Sequence, residues 1–209
     1  MRWTWMAAAM LAALAATPAI AGGANPVVWL VWVSLGLPVA GAFAGAGCAE
    51  RRGFAVSIGL LLAWLLPMWL AAESAQRGTA LAAALGLWGI GLALGTALRS
   101  RGPLGAAGAA LALALVLSGA PAGFWCTPAA PWSAGTTAAL LRLDPQAWLL
   151  PAAGVDFLRL EAIYEPVGAD RIGPDLWNAW GNLAGWGALV VGCLLALLAR
   201  PGRRKAAAA

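Results

Sequence analysis

The charged side chains of this chain all fall outside five long apolar stretches, and the basic ones gather at alternate ends of them. Arg51 and Arg52 follow the first stretch, Arg99 and Arg101 the third, and Arg200, Arg203, Arg204 and Lys205 the fifth. An Arg or Lys at the centre of a bilayer costs about 2.5–3.5 kcal/mol on insertion scales, so charge-free segments of ~20 residues mark spanning helices. The stretches are Val27–Cys48, Phe54–Ala72, Thr79–Leu98, Leu104–Ala122 and Leu183–Ala199. Only 10% of the 209 residues are charged, where a soluble domain carries roughly 25%. A soluble core is thereby excluded, and the pattern predicts an all-α, polytopic transmembrane helix bundle.

The N-terminal residues 1–21 read as a secretory signal peptide. Arg2 precedes an apolar run from Trp3 to Ala16, Pro18 breaks the helix, and Ala19-Ile20-Ala21 offers a small-residue cleavage site before Gly22. Cleavage leaves five spans; a retained segment makes six. The chain then divides into a four-helix transmembrane region (22–122), an outer loop of interfacial or re-entrant helices (123–181), a last span (182–199) and a basic tail (200–209). With the mature N-terminus outside, eight basic residues face the cytoplasm and four (Arg77, Arg142, Arg159, Arg171) face outward. The positive-inside rule therefore predicts a multi-pass protein of the inner (plasma) membrane with a cytoplasmic C-terminus. Tryptophan agrees: Trp29, Trp32, Trp64, Trp69, Trp125, Trp132, Trp148, Trp177, Trp180 and Trp186 lie toward the outer side, and indole favours the headgroup level. This one-sided surplus predicts an outer loop that lies on, or dips into, the membrane.

Helix packing has its own signature. Gly41-Ala-Phe-Ala-Gly45, Gly91-Leu-Ala-Leu-Gly95 and Gly181-Asn-Leu-Ala-Gly185 are small-xxx-small patterns that let helix backbones approach closely within the bundle. The polar residues inside or beside the spans, Ser34, Ser57, Thr79, Thr96, Ser118 and Asn182, are each expected to satisfy a neighbouring carbonyl.

Chemistry is constrained chiefly by what the chain lacks. It has no histidine, which removes Ser-His and Cys-His nucleophile pairs and histidine-ligated metals. Cys48, Cys126 and Cys193 show no metal-binding or CxxC spacing; Cys126 is read as a small buried hydrophobe or as a site for an intermolecular disulfide. The spans hold no ionisable group of the kind that proton relays and intramembrane carboxylate proteases need. A phosphate-cradling glycine loop is also missing, since the single lysine is Lys205 in the tail. The net charge of +5 is spread over loop ends rather than gathered with aromatics on one surface, so nucleic acid is not an expected partner. Neither cofactor, metal nor catalytic residues are expected, and the first partner is the lipid bilayer itself.

The elaborated part is the outer segment, with six acids and three arginines between residues 123 and 181. Leu143-Asp144-Pro145 is a helix start, with Asp144 as N-cap and Pro145 at the first helical position. The helix that follows, Pro145–Leu150, is nearly all apolar and is expected in the interface or re-entering the membrane. Downstream, Asp156 stands three residues before Arg159, while Glu161 and Glu165 form a like-charge i, i+4 pair that needs a facing cation. Asp156, Arg159, Glu161, Tyr164, Glu165, Asp170 and Arg171 together make a candidate surface for docking a protein partner. The competing reading of the same residues is an internally paired cap that closes the bundle.

By exclusion, these features point to a non-enzymatic integral membrane subunit of a larger assembly concerned with transport, its outer loop acting as docking or gating surface. With the N-terminal segment retained, the order becomes six spans, both termini inside, and helical outer elements before the last span. That layout resembles the permease half of ABC-2 type exporters, in topology only. A membrane enzyme using Glu161 and Glu165 is the remaining alternative.

Overall fold

The computed structural model describes residues 2–15, 25–47, 51–125, 142–155 and 180–198, and among these every regular element is helical. Seven α-helices follow in order: α1 (Arg2–Leu14), α2 (Pro26–Gly47), α3 (Arg51–Ala71), α4 (Arg77–Ala97), α5 (Gly102–Trp125), α6 (Pro145–Ala152) and α7 (Trp180–Leu198). Short 3-10 turns, Ser74–Gln76 and Arg99–Arg101, lead into α4 and α5. Three helical segments are long and apolar enough to cross a membrane: Pro26–Gly47, Ser74–Ala97 and Arg99–Ser118. Two more, Ala55–Ala71 and Leu183–Leu198, are apolar but shorter within the described residues. α1 has 13 residues, about 20 Å at 1.5 Å per residue, and falls short of ~30 Å of hydrocarbon.

α4 is the central helix, with α2 against one side of it and α7 against another. The three run in the same direction, because contacts advance together along each pair. Gly41 faces Trp88 and Gly45 faces Leu92 on the way down α2 and α4. On the other side Gly185 faces Thr79, Ala188 faces Gly86 and Gly192 faces Gly89. α3 and α5, joined to them by short turns, must run the opposite way. This is the alternation that the arginine pattern predicts for the first, third and fifth apolar stretches.

Glycine explains how these helices meet. A Cβ on Gly41 would lie 2.5 Å from the Trp88 carbonyl oxygen, and one on Gly91 or Gly95 would strike the backbone of Pro38 or Ala42. The first two small-xxx-small patterns therefore face each other, backbone against backbone. The third extends differently from the pattern in the sequence. Gly185 does touch α4, at Thr79, but the contact continues through Ala188 and Gly192, whose three-then-four spacing follows the helical stripe. α2 also makes room for an aromatic ring: a Cβ on Gly36 would overlap Trp64, which is 3% exposed. Trp64 is thus a core residue between α2 and α3, not the headgroup-level indole that its place in the sequence suggests. Its ring lies 6.5 Å from that of Trp32, tilted by 34°.

α5 is held more lightly. It buries a narrow alanine face, Ala106, Ala107, Ala110 and Ala114, and leaves Leu104, Leu111, Leu113, Leu115 and Val116 exposed. α1 lies against α3, and the carbonyl of Leu14 at its end accepts from Trp32 Nε1 at 2.6 Å.

These contacts make a sharp distinction among glycines. Gly95→Ala forces a methyl into the Ala42 carbonyl and is expected to cost about 1–3 kcal/mol, as overpacking does. Gly108→Ala meets nothing within 4 Å and should be neutral or stabilise by up to about 1 kcal/mol through helix propensity. Thermal unfolding of the two variants in the same detergent checks this, and equal melting temperatures would refute the backbone-contact account.

Candidate functional site at one end of the bundle

One end of the bundle is built where α6 meets the connection between α3 and α4. α6 follows an N-cap as the sequence predicts: Asp144 Oδ1 accepts from the Gln146 backbone N–H at 2.9 Å, and Pro145 occupies the first turn. The helix extends two residues beyond the expected Leu150, to Ala152, across Pro151. Its apolar residues are accounted for by protein rather than by an interface. Pro145, Ala147, Leu149, Leu150 and Ala152 are buried, and α6 packs against α7, α2, α4 and α5.

Polar groups fasten α6 at both ends. Thr79 Oγ1 on α4 donates to the Ala152 carbonyl at 2.7 Å, and the Glu73 backbone N–H donates to the Ala153 carbonyl at 3.1 Å. Gly154 sits at φ +91, a left-handed conformation, with the Glu73 side chain against its Cα; any β-carbon there meets both strain and a carboxylate. Beside this corner, the Arg77 guanidinium lies over the Trp69 ring, 5.2 Å from its centroid, an arrangement worth about 0.5–1 kcal/mol at exposed sites.

At the start of α6, Asp144 is 1% exposed and also accepts a hydrogen bond from Ser118 Oγ on α5 at 3.0 Å. Burial pushes its carboxyl from the ordinary 3.8 up to about 6, against the opposing pull of the Gln146 N–H and the Ser118 hydroxyl. The residue joins two elements, capping α6 while holding the outer part of α5. The sequence marks Asp144 as a cap, but not as a buried acid. Ser118 departs from its expected role, since it donates to this carboxylate and not to a neighbouring carbonyl. Ser34 and Thr96 do behave as expected, donating to the carbonyls of Val31 at 2.7 Å and Leu92 at 2.8 Å.

Beneath this corner an apolar cleft of about 80 Å³ opens between α4 and α5. Pro38, Gly91, Leu94, Ala110 and Leu113 line it, together with Trp148 of α6. The indole Nε1 of Trp148 donates to the Arg142 carbonyl, so the ring offers only carbon to the cleft.

The candidate docking residues Asp156, Arg159, Glu161, Tyr164, Glu165, Asp170 and Arg171 lie outside the described residues, as do Cys48, Cys126 and the basic tail. Cys193 is an exposed free thiol on α7. Among the described residues no group of three or more Cys, Asp or Glu is placed to hold a metal ion. Comparison of the chain with protein-family models, curated proteins and solved structures finds no match.

The upward shift of the Asp144 pKa has a definite consequence for stability. The folded protein holds this proton more tightly than the unfolded chain, so the group's full contribution is present below pH 3.8 and is lost as pH rises through about 6. The difference corresponds to about 3 kcal/mol. Thermal stability in detergent should fall across this window and level off above it. Asp144→Asn keeps a capping oxygen and should remove the dependence; a profile that survives the substitution assigns the titration to another group.

Proposed function

We propose that the protein is a non-catalytic, membrane-embedded subunit of a larger membrane assembly, most consistent with a role in transport across the bilayer. The observation that carries this reading is α5. It buries an alanine face against the rest of the chain and leaves Leu104, Leu111, Leu113 and Leu115 exposed, a surface that a neighbouring subunit would cover in part and lipid elsewhere. In this reading the five apolar segments span the inner membrane, α6 and the acid-rich residues 156–175 lie outside, and the tail from Arg200 is cytoplasmic. Support comes from the parallel run of α2, α4 and α7, and from the eight-to-four division of basic residues. A cysteine placed at Ala169 should react with a membrane-impermeant thiol reagent and one placed at Ala207 should not; the reverse result inverts the orientation.

The docking surface is assigned to Asp156, Arg159, Glu161, Tyr164, Glu165, Asp170 and Arg171, where charge is concentrated next to the apolar α6. Purification in mild detergent should recover a second protein in fixed proportion. Arg159→Ala and Glu161→Ala should reduce that recovery several-fold while the protein still accumulates in the membrane at normal levels. Undiminished partner recovery at normal abundance excludes a docking role for these residues, and a chain that purifies alone from native membranes excludes the subunit reading.

A six-span arrangement, with the layout of an ABC-2 type permease, draws support from the hydrogen bond between Trp32 and the end of α1. The two readings part at the N-terminus of the protein isolated from membranes. A first residue of Gly22 keeps five spans with a removed signal peptide, and Met1 gives six.

A further inference from the structure

The cleft between α4 and α5 is lined almost wholly by apolar groups. Its walls are apolar side chains and glycine, and the one polar atom of Trp148 is already spent on the Arg142 carbonyl. A water molecule held there would find none of the two to four polar partners it needs. Nor is the space the size of a single water, since about 80 Å³ is several times the ~10–15 Å³ that one water requires. A ligand suited to the cleft is therefore apolar. Leu113 on the lip is 46% exposed, and the same helix turns Leu111, Leu115 and Val116 outward. The opening is thus continuous with the surface that hydrocarbon covers when the helices are embedded. Pro38 shapes the inner wall from within α2, and Gly91 packs on the Pro38 backbone. Trp148, carried by an α6 that is anchored through Asp144 to Ser118 and through Ala152 to Thr79, is part of the lining.

We propose that this cleft takes a short stretch of one acyl chain of a membrane phospholipid, lodged between α4 and α5 beside Trp148. The proposal rests on the membrane-embedded reading, but not on the docking surface or on any partner. An acyl chain seated here wedges against α4, the helix on which α2 and α7 both pack, and so links the lightly held α5 to the rigid part of the bundle.

The test uses the full-length protein reconstituted in phosphatidylcholine vesicles that contain phosphatidylcholine with a diazirine on one acyl chain. After irradiation, labelled residues are mapped by peptide mass spectrometry. Labelling per residue at Leu94 and Trp148 is expected to exceed that at the outward-facing Leu115 and Leu198 at least three-fold. Leu94→Trp and, independently, Leu113→Trp fill the cleft and should abolish the excess at Trp148 while leaving Leu198 unchanged. Having two filling variants guards against one that fails to fold. Labelling at Leu94 and Trp148 no higher than at Leu115, or an excess that survives both substitutions, overturns the proposal; coverage of the cleft by another segment of the chain gives the first of these results. Absence of labelling at Leu115 and Leu198 as well would instead overturn the membrane-embedded reading.

Discussion

The close approach of α4 to two neighbours is the contact on which the remaining architecture depends. Lipid tails are as apolar as leucine, so helices gain little by hiding hydrophobic surface from one another once embedded. What holds them is dense van der Waals contact and the alignment of backbone dipoles and Cα–H groups with carbonyl oxygens. Gly41, Gly45, Gly91 and Gly95 supply that on one side of α4, and Gly86, Gly89, Gly185 and Gly192 on the other. A row of such close backbone approaches leaves little freedom of rotation. A single methyl group is larger than the space available, which is why the interface tolerates no gradual change.

Polar groups follow the opposite rule and are few, and the described hydroxyls of Ser34, Thr79, Thr96 and Ser118 each have a partner, whereas the buried Trp64 Nε1 has none. In a low-dielectric surrounding an unpaired donor or acceptor is costly. Ser34 and Thr96 return their hydroxyls to their own helices. Thr79 reaches out of its helix to the end of α6, and Ser118 reaches to Asp144. These two hydroxyls fix α6, although Thr79 Oγ1 also lies 2.8 Å from the Gln76 carbonyl. That short helix could not stand alone, because eight residues are below the length at which isolated helices persist. Its N-cap, its burial and these two hydrogen bonds make it part of the bundle.

Much of this was legible in the residues themselves. The position of every long helix follows from the charge-free stretches, and the alternation of direction follows from where arginine falls between them. Asp144-Pro145 marked the start of α6, and the paired Gly41/Gly45 and Gly91/Gly95 patterns marked an interface. The rest depends on three-dimensional neighbours that no local pattern reveals. Asp144 reads as an ordinary exposed cap until α5 is brought over it, and Trp64 reads as interfacial until Gly36 clears a place for its ring. The α7 stripe was hidden because Ala188 stands in for glycine at its centre. The apolar α6 was consistent with a membrane interface, and only its burial against four helices shows what it covers.

The distribution of tightness across the molecule bears on how such a bundle could work. α2, α4 and α7 are locked by contacts that a β-carbon would disrupt, whereas Gly59, Gly108 and Gly187 face open space. Of the peripheral helices, α3 is keyed to α2 by Trp64 in the space left by Gly36, whereas α5 buries only small alanines. α5 is tied to the centre by small alanines along its length, and through Ser118 to the buried Asp144 carboxyl at the start of α6. Loss of that one hydrogen bond removes a tether between α5 and α6 without disturbing any glycine contact.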